Sequence, residues 1–249
     1  MSRIFRTSIT ILIATLVLVY NISGEEYISE PEKLSHNTLS NVKKLQQISL
    51  ITDRDPDPDP EKGKQHFSVC RTCHGANAGG KKNLGGPRLT ELQNWYLIRQ
   101  LKNFRQGIRG TDPEDTYGAQ MKPMAQTLPD EQAVKDVVAY IKTLDSPAPE
   151  PSLQKGDPER GKQFFATCQT CHGPNAEGRK NLGGPQLKGQ YDWYLVRQLQ
   201  NFREGIRGTH PEDSYGAQMR PMANSLPDDQ AVHDVVAYIQ TLDNDDSDE

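Results

Sequence analysis

The chain has 249 residues, of which 34% are hydrophobic and 25% charged, with 20 Gly, 17 Pro and 4 Cys. That composition excludes a fibrous or collagenous chain, a multi-span membrane protein and a wholly disordered one. A net charge of −4 speaks against a general nucleic-acid binder, which carries a strongly basic face, and four cysteines are too few for a disulfide scaffold.

In chain order, Arg3 and Arg6 come first, ahead of an apolar run from Ile9 to Ile22. A positive start followed by a short apolar stretch reads as a secretory signal over residues 1–24, or as an uncleaved anchor using residues 4–22. Ile22, Ser23 and Gly24 form a poor cleavage site, so both readings stay open. Either one carries the rest of the chain across a membrane, with the two arginines left on the cytoplasmic side. Residues 25–58 are polar, end in DRDPDPDP and read as an extended acidic linker.

From there the chain repeats itself. CRTCHG at Cys70 returns as CQTCHG at Cys168, NLGGP at Asn83 returns at Asn181, and YGAQMKPMA returns as YGAQMRPMA. DVVAYIKTLD returns as DVVAYIQTLD at the same constant offset, without insertion or deletion. Two long copies mean two domains, since a solenoid needs three or more short units. The expected boundaries are 59–145 and 157–243, joined by a Pro-rich connector at 146–156 and followed by an acidic tail at 244–249. The first domain carries about +3 and the second about −2.

Within each copy the pattern is helical. Asp59 caps a helix that has Pro60 in its first turn and Glu61 beside the positive end of the dipole. Leu97, Leu101, Phe104 and Ile108 recur at helical spacing, and Gly107 suits a helix end. Val134, Val137, Val138 and Ile141 make a second apolar stripe. No alternating strand pattern is present. The expected fold class is all-α, with three or four helices in each of two domains of about 85 residues, a size at which an extra staple helps.

The four cysteines are all used in two C-x-x-C-H motifs, Cys70–His74 and Cys168–His172. This is the pattern of covalent haem c attachment. Two thiols three residues apart on a helical turn reach the two vinyl groups of one haem, and the adjacent His74 or His172 lies under the iron. A structural zinc site needs four ligands, and each unit offers two Cys and one clear His. A thioredoxin-like C-x-x-C wants a strand–helix context, which is missing. The expected cofactors are therefore two covalently bound haem c groups.

A sixth iron ligand should be present in both copies. Outside the two motifs no histidine is shared: His66 matches Phe164, His210 matches Asp112, and His233 matches Lys135. Apart from Met1, every methionine lies in a shared M-x-P-M segment, with Met121 and Met124 in one copy and Met219 and Met222 in the other. These polar, Pro-containing flanks read as a loop before the last helix, and a core filler role for the thioethers fits them poorly. Trp95, Tyr96 and Arg99, with Trp193, Tyr194 and Arg197, also recur. They read as a haem wall with donors toward the propionates, or as ordinary aromatic core. Arg105 and Arg109, with Arg203 and Arg207, pair with propionates or solvate a helix end.

CxxCHG, LGGPxL, YGAQM-x-PMA-x-x-LPD and DVVAYI together resemble the tandem dihaem class I cytochromes c of the c-four type. The resemblance spans nearly all of 59–243 and leaves out the first 58 residues and the tail. It implies His/Met iron in each domain, with Met121 and Met219 as the ligands and Met124 and Met222 packed nearby. It also implies that the Pro87 and Pro185 carbonyls accept from the histidine Nδ1–H, a contact that orients the ring and tunes the metal. Crossed terminal helices would bring Gly63 and Phe67 onto Tyr140, and Gly161 and Phe165 onto Tyr238.

An iron closed on both sides exchanges electrons rather than binding substrate. The expected function is single-electron carriage in a periplasmic respiratory chain, from a quinol-oxidising complex or dehydrogenase to a terminal oxidase or reductase. The expected partners are redox proteins, with neither nucleic acid nor small-molecule substrate. Two alternatives are a permanent haem subunit of a membrane complex and a dihaem enzyme such as a peroxidase. The latter needs an open iron site, which two intact M-x-P-M segments disfavour.

Overall fold

A computed structural model describes residues 56–242 of the chain. The expected signal or anchor, the linker up to residue 55 and the acidic tail lie outside the described residues. Among the described residues the secondary structure is helical, apart from two isolated bridges, Lys81–Gly86 and Arg179–Gly184.

The first repeat holds α1 (Pro60–Phe67), α2 (Arg71–His74), α3 (Asn94–Gln106), α4 (Thr116–Gln126) and α5 (Glu131–Ile141). The second holds α6 (Pro158–His172), α7 (Asp192–Arg203), α8 (Ser214–Asn224) and α9 (Asp229–Thr241). Helix α6 runs unbroken through its C-x-x-C-H motif, whereas the first repeat tightens between α1 and α2. There Ser68 N donates to Gln65 O and Cys70 N to Phe67 O, both three residues back. Ser68 and Val69 stand where the second repeat has Ala166 and Thr167, and Ala is the stronger helix former.

The helix starts follow the caps. Asp59 Oδ1 accepts from Glu61 N and Lys62 N at 3.0 and 3.2 Å, Asp115 from Gly118 N at 2.9 Å, and Asp130 from Ala133 N at 2.8 Å. Asp157, Asp213 and Asp228 repeat the pattern. Each side chain satisfies a backbone donor that the first helical turn leaves open. Helix α3 ends at Gly107 in the left-handed region (φ 75°), as its sequence predicts.

The dominant packing is the crossing of first and last helix in each repeat, α1 on α5 and α6 on α9. A Cβ at Gly63 would lie 2.0 Å from the Asp136 carbonyl oxygen, and one at Gly161 would lie 1.9 Å from that of Asp234. Only glycine permits that approach. Phe67 packs on Tyr140 at 5.5 Å between ring centres, and Phe165 on Tyr238 at 5.4 Å. Val134, Val137, Val138 and Ile141 are buried as one face of α5, with Val232, Val235, Val236 and Ile239 on α9. Two separate apolar cores result, one per repeat.

One expectation is corrected. The M-x-P-M segments are the helices α4 and α8, not loops, and Pro123 and Pro221 sit inside them. A proline in a helix forfeits one backbone bond. Here a strong aspartate cap starts each helix and the helix is short, so one lost bond does not end it.

Candidate functional site

The C-x-x-C-H turn includes α2 in the first repeat and ends α6 in the second, and NLGGP folds over it. A Cβ at Gly86 would come within 2.1 Å of the Cys73 carbonyl oxygen, and one at Gly184 within 2.0 Å of that of Cys171. This close passage carries the next residue, Pro87 or Pro185, to the histidine. His74 Nδ1 donates to Pro87 O at 3.0 Å, and His172 Nδ1 to Pro185 O at 2.7 Å. Both imidazoles are about 95% buried. Burial holds them below the ordinary histidine pKa, against the opposing pull of the proline carbonyl. With Nδ1 committed as donor, Nε2 keeps its lone pair, the state a metal ligand needs.

The cysteines are half-buried and unbridged. Burial pushes the Cys70 and Cys168 thiols up to about 11. In the second repeat, Cys168, Cys171, His172, Met219 and Met222 line one cleft with Leu187, Leu195 and Phe202. Its empty space, open mouth included, is about 1330 Å³. Met219 is half-buried there, while Met222 is 41% exposed at the mouth. Met121 and Met124 occupy the matching places on α4, with Met124 also 41% exposed.

The cleft is not closed by its own repeat alone. Leu92, Tyr96, Arg99 and Gln100, all of the first repeat, form part of its wall. Arg99 Nη2 donates to Gly183 O at 2.8 Å, and the reciprocal Arg197 Nη2 donates to Gly85 O at 2.9 Å. Between these crossed arms, Arg109 Nη1 donates to Gln100 Oε1 at 2.7 Å and its Nη2 to Gln198 Oε1 at 2.8 Å. Arg207 Nη1 donates to Gln198 Oε1 at 2.6 Å and its Nη2 to Gln100 Oε1 at 3.0 Å. Two buried guanidiniums and two amides therefore close a ring on a pseudo-two-fold axis. Burial pushes the nearby Tyr96 hydroxyl up, but the Arg207 and Arg109 charges outweigh it and leave that group below the ordinary phenol value.

The remaining sequence candidates divide. Trp95 packs half-buried against the first core. Trp193 stacks on Tyr191 and under Arg197. Arg105 Nη2 donates to Pro129 O at 3.2 Å, and Arg203 pairs with Asp229 at 2.7 Å, both near helix ends. Sequence reasoning missed Gln100 and Gln198; the recurrence of Y-L-x-R-Q-L in both copies is the signal that marks them. It also missed Arg88, whose Nε donates to Ser146 Oγ at 2.9 Å and Nη1 to Gly189 O at 3.1 Å.

These residues fit the group the motif calls for. Two thiols, an imidazole with a free Nε2 and a thioether line the second repeat's apolar cleft, and the first repeat carries the same set at the matching positions. Among the described residues Arg207 Nε, on the cleft wall, is buried without a partner, a donor suited to a haem carboxylate. Fold and site together define a c-type haem protein with two centres, a carrier of electrons. The cytochrome c family model matches residues 60–145 and again 158–243, and the chain belongs to that family. Each of its two tandem cytochrome c domains binds one covalent haem c, and its partners are redox proteins.

Among its relatives, cytochrome c4 of Stutzerimonas stutzeri is 31% identical over 191 residues, 73% of this chain and 88% of that protein. A thiosulfate dehydrogenase electron acceptor from S. stutzeri strain A1501 is 33% identical over 169 residues, 63% of this chain and 73% of the other. The crystal structure of reduced recombinant cytochrome c4 from Pseudomonas stutzeri superposes with a TM-score of 0.56 at 27% identity. It covers 74% of this chain and 98% of its own.

Proposed function

We propose that this dihaem cytochrome carries single electrons on the periplasmic side of a respiratory chain, from a quinol-oxidising complex or a dehydrogenase to a terminal oxidase or reductase. His74 with Met121, and His172 with Met219, would hold the two irons. The observation that carries this reading is the repetition of one closed site: in both halves a histidine oriented by a proline carbonyl and a methionine on the penultimate helix. A haem so held would supply a one-electron couple. The chain's own part is to hold both ligands, exclude water and leave an edge for a partner.

An apolar rim suited to brief docking lines the second repeat's cleft, and the matching residues of the first repeat are exposed as well. Leu84, Tyr117 and Met124 are exposed in the first repeat, and Leu182, Tyr215 and Met222 in the second. Such a patch matches the small interfaces of transient redox encounters. The relative named a thiosulfate dehydrogenase electron acceptor supports a dehydrogenase among the donors. Stopped-flow mixing of the oxidised protein with a purified quinol-oxidising complex and quinol, or with a thiosulfate-oxidising dehydrogenase and thiosulfate, tests the donor side. Reoxidation by a terminal oxidase tests the acceptor side. Reduction of both haems by at least one donor, and their reoxidation with oxygen uptake, is expected. Peroxide- or thiosulfate-dependent turnover by the protein alone would replace this reading with an enzymatic one.

A further inference from the structure

Arg99 belongs to the first repeat by sequence and to the second by position. It lies on the wall of the cleft that contains Cys168, Cys171 and His172. Its guanidinium carbon sits 4.2 Å from the centre of the Tyr215 ring, and its Nη2 bonds the Gly183 carbonyl. Gly183 and Tyr215 themselves line that cleft. Arg197 is the mirror case, 4.0 Å from the centre of the Tyr117 ring and bonded to Gly85 O. Gly85 and Tyr117 are the first repeat's counterparts of Gly183 and Tyr215.

The groups each arginine touches across the repeats, a carbonyl and an aromatic face, carry no charge, and the carboxylate that acts on it through space is Asp213 for Arg99 and Asp115 for Arg197. Burial opposes the charge of Arg99, while Tyr96, Tyr215 and Asp213 act through space to keep it. An arginine stays cationic under such conditions. A fixed positive charge in a low-dielectric wall favours whichever redox state carries less positive charge. One-electron reduction of ferric to ferrous iron lowers the charge of the site by one, and no proton needs to move.

We propose that the two haems are tuned crosswise: Arg99 raises the potential of the haem on Cys168 and Cys171, and Arg197 raises that of the haem on Cys70 and Cys73. Each arginine is a positioning residue for its neighbour's centre rather than its own. The consequence is that neither half sets its potential alone, so the driving force between the two haems depends on the contact between repeats. This inference rests on the dihaem electron-carrier reading.

The test uses the full-length holoprotein with Arg99→Gln, Arg197→Gln and the charge-preserving Arg99→Lys and Arg197→Lys. Haem methyl resonances, assigned through their nuclear Overhauser contacts with side chains of one repeat, report the reduced fraction of each haem during a redox titration. Mass spectrometry of the two haem peptides confirms two haems in every variant, which separates failure of this inference from failure of the dihaem reading. R99Q is expected to raise the ferric-to-ferrous ratio of the second repeat's haem by about threefold to tenfold at fixed potential, where tenfold corresponds to about 59 mV. The first repeat's haem moves less. R197Q does the reverse, and both Lys variants stay close to the parent. A larger shift in the variant's own repeat, equal shifts in both haems, or no shift in either overturns the proposal. Should R99Q fail to retain both haems, loss from Cys168 and Cys171 supports it, and loss from Cys70 and Cys73 overturns it.

Discussion

The two repeats are alike around the C-x-x-C-H turn and at the crossed arginines, and unlike where the connector runs. Caps, the glycine crossing, the histidine–proline bond and the crossed arginines all occur twice, with distances that agree within a few tenths of an ångström. The connector side has no such symmetry. Arg88 anchors Ser146 in the first repeat, and its counterpart is Gln186. Asp192 is 1% exposed and gathers Ser152 and Leu153, whereas its counterpart Asn94 is exposed. A duplicated domain thus keeps what its cofactor and its twin require, and it diverges where only one copy has a chain to hold.

Substitutions at matched positions can break or sharpen that comparison. The largest effect is expected from Met121→Ala and Met219→Ala. Each should abolish half of the near-infrared sulfur–iron band and lower one potential by on the order of 0.1 V, read by spectroelectrochemistry. Symmetry predicts the same loss from either repeat, and an intact band in both variants would refute the ligand assignment. Next come Gly63→Ala and Gly161→Ala, where the added carbon meets backbone at 2.0 and 1.9 Å. Each should cost about 3 kcal/mol of stability in its own repeat, measured by denaturant unfolding of the holoprotein.

A smaller and deliberately unequal effect is expected on the connector side. Asp192→Ala removes the acceptor for Ser152 N, Ser152 Oγ and Leu153 N and should cost about 1–3 kcal/mol. Asn94→Ala should be near neutral. Equal losses would contradict the asymmetry. The smallest effect belongs to Arg203→Ala, which breaks an ion pair with the exposed Asp229. It should cost about 0.5 kcal/mol at low salt and vanish as ionic strength rises.

Much of this was legible in the sequence because the relevant signals are local. Caps such as Asp59 and Asp130, the stripe of Val134, Val137, Val138 and Ile141, and the C-x-x-C-H turns all act within one or two helical turns. The M-x-P-M segments misled because a lone proline normally argues against a helix interior, while the cap at Asp115 that sustains α4 is weak evidence by itself. The crossed arms were out of reach for a different reason. Arg99 and Gly183 lie far apart in the chain, and a residue shared by both copies gives no sequence clue to whether its side chain serves its own unit or its twin. Arg109 and Arg207 show the same ambiguity, since repetition marked them as shared without revealing the ring they form with Gln100 and Gln198.

The most direct test of the account is a count of covalent haem in the purified, exported protein, combined with its oxidised and reduced absorption spectra. Two haems per chain on Cys70/Cys73 and Cys168/Cys171, c-type bands when reduced and a sulfur–iron band of two-centre intensity when oxidised are the predicted result. A colourless protein, zinc in place of iron, or a high-spin centre lacking the sulfur band would contradict it.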